Sequence, residues 1–298
     1  MSEAHDHGTL KYNRAFAIGV GLNLLFVVVE IIYGLAADSL ALLADAGHNF
    51  SDVVSLLLAW GAALLAARGA TERRTYGFRK ATVLASLAGA VFLLAALGGI
   101  AWESVGRLTD PEPVRGITVI IVAGIGTIIN TITALLFFSG QKEDLNIRAA
   151  FLHMAADAGV SLGVAAAGVI ILLTGWLIVD PIISLLIVAV IVIGTWSLLR
   201  SSINLALDAV PEGIDPAAIR EYLTGLENVA EIHDLHVWPL STTDTALTVH
   251  LRIHKPGGKN FLARVEKELR ERFRIDHSTI QVEDEDEETC RLDRDGGA

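Results

Sequence analysis

Six apolar stretches, at roughly 15–36, 40–67, 81–104, 115–138, 146–173 and 178–199, fill the first two-thirds of this 298-residue chain. Each reaches the roughly 20 residues that a helix needs to cross the hydrocarbon core of a bilayer. Lipid offers no partner to an unpaired backbone amide, so such runs cross as helices that satisfy their own backbone. The expectation is an all-α membrane domain of six transmembrane helices over residues 15–200, preceded by a polar tail over 1–14. A mean hydropathy of +0.52 points the same way, since soluble chains seldom reach it.

The second and fifth stretches are the least uniformly apolar. They are rich in small residues: Ala41, Ala44, Ala46, Gly47 and Ala59 in one, Ala155, Ala156, Ala158, Gly159 and Gly163 in the other. Small side chains let helix backbones approach closely in lipid, which places these two helices inside the bundle. A merely Ala- and Gly-rich composition is the other reading. Lys11, Arg14, Arg68, Arg73, Arg74, Arg79, Lys80, Lys142, Arg148 and Arg200 fall on one side of the membrane. Arg107 and Arg115 fall on the other, offset by Asp110 and Glu112. The positive-inside rule then makes both termini cytoplasmic, with Trp102 and Trp176 near the outer interface.

After residue 200 the pattern changes. Asp215-Pro216 opens a helix as N-cap and first-turn proline. EIHDLHVW and TALTVHLRIH read as strands, KPGGK as a turn, residues 259–274 as an amphipathic helix and STIQVE as a last strand. The order αββαβ predicts a ferredoxin-like α/β cytoplasmic domain over 208–284, followed by an acidic tail over 285–298. The run EDEDEE at 283–288 reads as a solvated tail, or alternatively as a cation-attracting antenna. No basic block appears, so nucleic acid is not expected as a partner. The lone Cys290 excludes an internal disulfide. The N-terminus lacks the pattern of a removable signal peptide. His5 and His7 there read as a polar terminus or a loose metal contact.

Ionisable side chains at the bilayer centre cost on the order of 3 kcal/mol each, so they mark an ion path, a pairing or a bound ion. The second stretch holds His48 and Asp52, and the fifth holds His153 and Asp157. Each pair is spaced i,i+4 and so shares one helix face. At about 1.5 Å rise per residue, both pairs fall near the membrane midplane. The two helices run antiparallel, which sets His48 level with Asp157 and Asp52 level with His153. Two imidazoles and two carboxylates make a tetrahedral N2O2 set that suits Zn²⁺, while Mg²⁺ or Ca²⁺ would call for oxygen alone. Imidazole must be neutral to ligate, so protons compete with the metal and can travel the opposite way. Asp45, one turn before His48, reads as a supporting or ion-admitting group, with a structural or capping role equally open. A proton relay without metal transport is the rival transport reading. No H-E-x-x-H and no P-loop occur, and the quartet leaves no zinc position for a catalytic water, so an enzyme is not expected.

ADAGHNFSD, the H-x-x-x-D of LHMAADAG, YGFRKA, VPEGID, HDLHVW and HSTIQVE together resemble the cation diffusion facilitator family, in its zinc, cadmium and cobalt efflux branch. The resemblance covers about residues 12–284. It implies a homodimeric exporter that exchanges cytoplasmic Zn²⁺ for external protons by alternating access. Cd²⁺, Co²⁺ or Fe²⁺ is the alternative cargo, and no organic cofactor is expected. The implied transport site is His48, Asp52, His153 and Asp157, and His48 argues for zinc over manganese. The implied regulatory zinc ligands in the cytoplasmic domain are His233, His250, His277 and Glu283, with His236 and His254 as substitutes. His236 also reads as a packed histidine. The resemblance further implies a partly buried Lys80–Asp208 ion pair at the inner membrane face, with Arg79 as a substitute for Lys80. Two metal-binding loops of relatives have no counterpart here: RGATERRTYGFRKA holds no His or Asp, and SGQKEDLN holds no His. Short loops and compact length point to a bacterial inner membrane.

Overall fold

The computed structural model describes residue 21 and residues 24–138, 145–254 and 260–284. The expected polar N-terminus with His5 and His7, the KPGGK turn and the acidic tail from 285 lie outside the described residues. Six helices occupy the apolar stretches: α1 (Leu24–Ala37), α2 (Leu40–Ala66), α3 (Ala81–Thr109), α4 (Gly116–Phe138), α5 (Leu145–Thr174) and α6 (Val179–Ala206). Among the described residues, the apolar parts of α3, α4, α5 and α6 are long and apolar enough to cross a membrane. α2 has 27 residues, about 40 Å at the α-helical rise, but its apolar character is broken by Asp45, His48, Asn49 and Asp52. α1 is described from Leu24 onward.

The chain divides into two compact units. The first comprises α1, α2 as far as Leu57, α3 from Gly89, α4, α5 and α6 as far as Ser197. Its core joins Phe26, Ala41, Leu42, Ala44, Leu97, Val119, Ala123 and Val164. Two glycines explain how closely α4 and α5 pack. A Cβ on Gly116 would sit 3.0 Å from the Gly168 carbonyl oxygen, and one on Gly168 would sit 3.1 Å from that of Gly116. Backbone therefore touches backbone there, which no larger side chain permits. Of the small residues singled out on α2, Ala41, Ala44 and Ala46 are buried at 0% exposure and Gly47 is half-buried. On α5 the expectation holds only for one face: Ala155, Ala156 and Gly159 are exposed in the single chain, because α5 packs through Ser161, Val164, Ala167 and Gly168.

The start of α2 is tied down by polar groups in an apolar setting. Asp180, at the start of α6, accepts hydrogen bonds from the Ser39 hydroxyl and from the Leu40 amide at 2.7 Å. Its carboxylate thereby caps α2, meeting the helix's unpaired N–H groups and its positive dipole end. Arg107 of α3 donates to the Asp38 carbonyl at 2.7 Å and pairs with Glu112 at 2.8 Å.

The second unit comprises the remainder of α2, the 67–80 segment, the first turns of α3, the end of α6 and everything after it. Here α7 (Pro216–Thr224), β1 (Val229–Pro239), β2 (Thr245–Ile253), α8 (Phe261–Phe273) and β3 (His277–Asp284) follow in the expected αββαβ order. Asp215 caps α7, accepting from the Ala217 amide at 2.9 Å. The sheet order is β1-β2-β3, antiparallel between the first two and parallel between the last two. Leu247, Val249 and Leu251 of the central strand face a core closed by Ile219, Leu223, Val265 and Leu269.

Candidate metal centre

Every residue of the sequence-derived membrane quartet comes to one place in the first unit. His48 Nε2 lies 3.4 Å from Asp157 Oδ1 and 3.7 Å from Asp52 Oδ2. His153 Nε2 lies 3.2 Å from the same Asp52 oxygen and 3.7 Å from Asp157 Oδ2. Imidazole and carboxylate thus alternate around a closed four-membered ring drawn from α2 and α5. A tetrahedral ion with bonds of about 2.0–2.1 Å separates its ligand atoms by about 3.4 Å; His48, His153 and Asp157 each bring one ligand atom within 4.8 Å of the others, a grouping that Asp52 does not join. The expected levels hold as well: His48 faces Asp157 and Asp52 faces His153.

Exposure falls steeply across the ring. The side chains of Asp52 and His153 are 39% and 44% exposed, whereas those of His48 and Asp157 are 18% and 2% exposed. One turn further, Asp45 and Ser161 are fully buried. The Ser161 hydroxyl donates to Asp45 Oδ2 at 2.7 Å. Asn49, next to His48, donates to Glu30 Oε2 of α1 at 3.0 Å. The i,i+4 pattern passes over Glu30, Asn49 and Ser161. An acid inside the first apolar stretch is the signal that marks Glu30, by the same cost that singles out the quartet.

A second cluster forms in the cytoplasmic unit. Glu283 Oε1 lies 2.8 Å from His250 Nδ1, and its Oε2 lies 3.3 Å from His233 Nε2. All three residues are nearly buried, and His233 leaves both ring nitrogens without a hydrogen-bond partner among the described residues. Such a buried, unsatisfied imidazole is costly unless something ligates it. The pairing explains the meeting: His233 faces His250 across β1 and β2, and His250 faces Gln281 across β2 and β3. Gln281 in turn donates to Glu283 Oε1 at 2.9 Å. A bulge follows His233 and places Asp234 in the left-handed region at φ 50°.

His277 does not join this cluster. It begins β3, six positions before Glu283, so the strand's rise of about 3.3 Å per residue separates them by about 20 Å. Its ring instead meets Tyr76 edge to face at 5.5 Å. His236 is exposed rather than packed, with Nε2 2.8 Å from Asp234 Oδ1, because the bulge turns it outward. His254 is exposed beyond the end of β2. The implied Lys80–Asp208 pair is present, with Lys80 also donating to the Leu205 carbonyl at 3.1 Å. In the single chain Lys80 is half-buried and Asp208 is exposed, at 40% and 59% of their side chains. Arg79 pairs elsewhere, with Asp244 at 3.4 Å.

A six-helix unit with an intramembrane His–Asp ring, followed by a small α/β module, defines a class of metal-ion transporter. Comparison with known proteins agrees. Residues 16–205 match the cation efflux transmembrane domain, and residues 211–285 match the cation efflux protein cytoplasmic domain. The chain belongs to the cation diffusion facilitator family, in its zinc, cadmium and cobalt branch. It is an integral membrane protein of metal-cation efflux, a transporter and not an enzyme. It is 34% identical over 286 residues to the zinc transporter ZitB of Pectobacterium atrosepticum, covering 95% of this chain and 89% of that one. It is equally 34% identical over 286 residues to the metal cation efflux system protein CzcD of Cupriavidus metallidurans, covering 95% and 90%. It is 32% identical over 288 residues to the cadmium, cobalt and zinc/H(+)-K(+) antiporter of Bacillus subtilis, covering 94% and 92%.

Proposed function

We propose that this protein is a proton-coupled zinc exporter whose transport site is His48, Asp52, His153 and Asp157. The observation that carries this reading is the closed ring of alternating imidazole and carboxylate groups, with separations of 3.2–3.7 Å. Two carboxylates offset the charge of the dication, which removes much of the cost of holding it away from water. Two imidazoles make the site responsive to pH, because a protonated ring cannot ligate. The steep exposure gradient supports alternating access: one end of the ring is reached while the other is sealed. The relatives named for zinc transport and for zinc/H(+) exchange support the same cargo and coupling.

The transport domain spans residues 15–200 and the cytoplasmic domain 208–284, with both termini cytoplasmic and the protein in a bacterial inner membrane. Two chains form a homodimer. His233, His250 and Glu283 hold a regulatory zinc ion in the cytoplasmic domain. The experiment is zinc flux into proteoliposomes under an imposed pH gradient, with proton movement recorded together with zinc. Zinc uptake that drives proton counterflow is the expected result. Proton flux indifferent to zinc would establish the relay reading instead.

A further inference from the structure

The two cross-helix pairs of the ring belong to a longer ladder. Along α2, Asp45, His48 and Asp52 recur at three- and four-residue steps on one face. Along α5, Ser161, Asp157 and His153 recur at four-residue steps in the opposite direction. The rungs are Asp45–Ser161 at 2.7 Å, His48–Asp157 at 3.4 Å and Asp52–His153 at 3.2 Å. These rungs differ in kind. The His48–Asp157 rung is longer than an ordinary hydrogen bond, and the Asp52–His153 rung lies at the long end of that range. The Asp45–Ser161 rung is closed at hydrogen-bond length without an ion. It joins two short side chains, so it leaves little slack in the distance between the two backbones. It is fully buried, and no water competes for it. Asn49, on the same stretch of α2, donates to Glu30 of α1, whose carboxyl also lies against Asp45.

We infer that Asp45 and Ser161 are positioning residues that fix the α2–α5 spacing and thereby fit the ring to an ion of zinc's size in preference to the larger Cd²⁺. Selectivity among divalent metals of overlapping affinity rests on geometry, and the geometry of this ring is the separation of two helices. The inference depends on the quartet being the transport site. Opening the third rung relaxes the spacing at the sealed end, next to His48 and Asp157. The larger ion then gains relative to zinc.

The test uses full-length protein in proteoliposomes, with initial Zn²⁺ and Cd²⁺ uptake measured over a range of concentrations. In Ser161→Ala the preference for zinc over cadmium, as the ratio of Vmax/KM values, is expected to fall about tenfold, mainly through a higher zinc KM. Ser161→Thr keeps the hydroxyl and is expected to hold the ratio within about twofold of wild type. Ser161→Cys, with a longer and weaker donor, is expected to shift the ratio in the same direction as alanine and serves if the alanine variant does not fold. An unchanged ratio in the alanine or cysteine variant overturns the inference, as does an equal loss of both ions. Asp157→Ala separates the two claims, because retained zinc transport in that variant removes the site itself.

Discussion

His48 stands closer to Asp157 on another helix than to Asp52 on its own: 3.4 Å against 3.7 Å. The proposed metal centre is therefore a property of the α2–α5 contact and not of either helix alone. Asp157→Asn keeps the shape of the side chain and removes its charge. Zinc flux in proteoliposomes should fall at least about 100-fold, with circular dichroism unchanged. Flux within a few fold of wild type would show that Asp157 does not hold the ion.

The cytoplasmic cluster separates residues that sequence patterns group together. In calorimetric zinc titrations of the full-length protein, Glu283→Gln and His250→Ala should each remove one binding event or weaken it about 100-fold. His277→Ala should leave that event in place. Affinity at this cluster should decline as the solution is made more acidic, because protons compete with zinc for imidazole. Equal loss in the His277 variant would return His277 to the ligand set.

Lys80 and Asp208 form a pair that solvent reaches in the single chain, chiefly at Asp208. Exposed pairs contribute about 0–1 kcal/mol to stability, so Lys80→Asp alone should shift the unfolding free energy by no more than that. If the pair instead orders the transport cycle, Lys80→Asp and Asp208→Lys should each lower zinc flux, and the double swap should restore it. Failure of the swap to recover flux lost in the single variants would dissociate the two residues.

Gly168 lets α4 and α5 meet backbone to backbone. A side chain there meets Ile120 Cγ1 at 3.0 Å and the Gly116 carbonyl at 3.1 Å. Gly168→Val should lower stability by about 1–3 kcal/mol, visible as a lower unfolding midpoint in detergent. A midpoint equal to wild type would mean that the helices part there without strain.

Some of this molecule was settled by local chemistry. The length of the apolar runs made six helices, and the i,i+4 spacing put His48 with Asp52 and His153 with Asp157 on single helix faces. Antiparallel direction then set which of them share a level, because rise per residue is constant along a helix. The αββαβ order likewise followed from hydrophobic period and from the Asp215-Pro216 start signal. Other features arose only when separate segments met in space. Strand register and a bulge at Asp234 joined His233, His250 and Glu283, while the length of β3 carried His277 away. Ser161, Glu30 and Asn49 became partners of the α2 face through helix packing, and single-helix periodicity carries no record of what a neighbouring helix presents. The one-sided burial of the ring has the same origin, since exposure depends on every element around a residue and not on the residue's own neighbours in the chain.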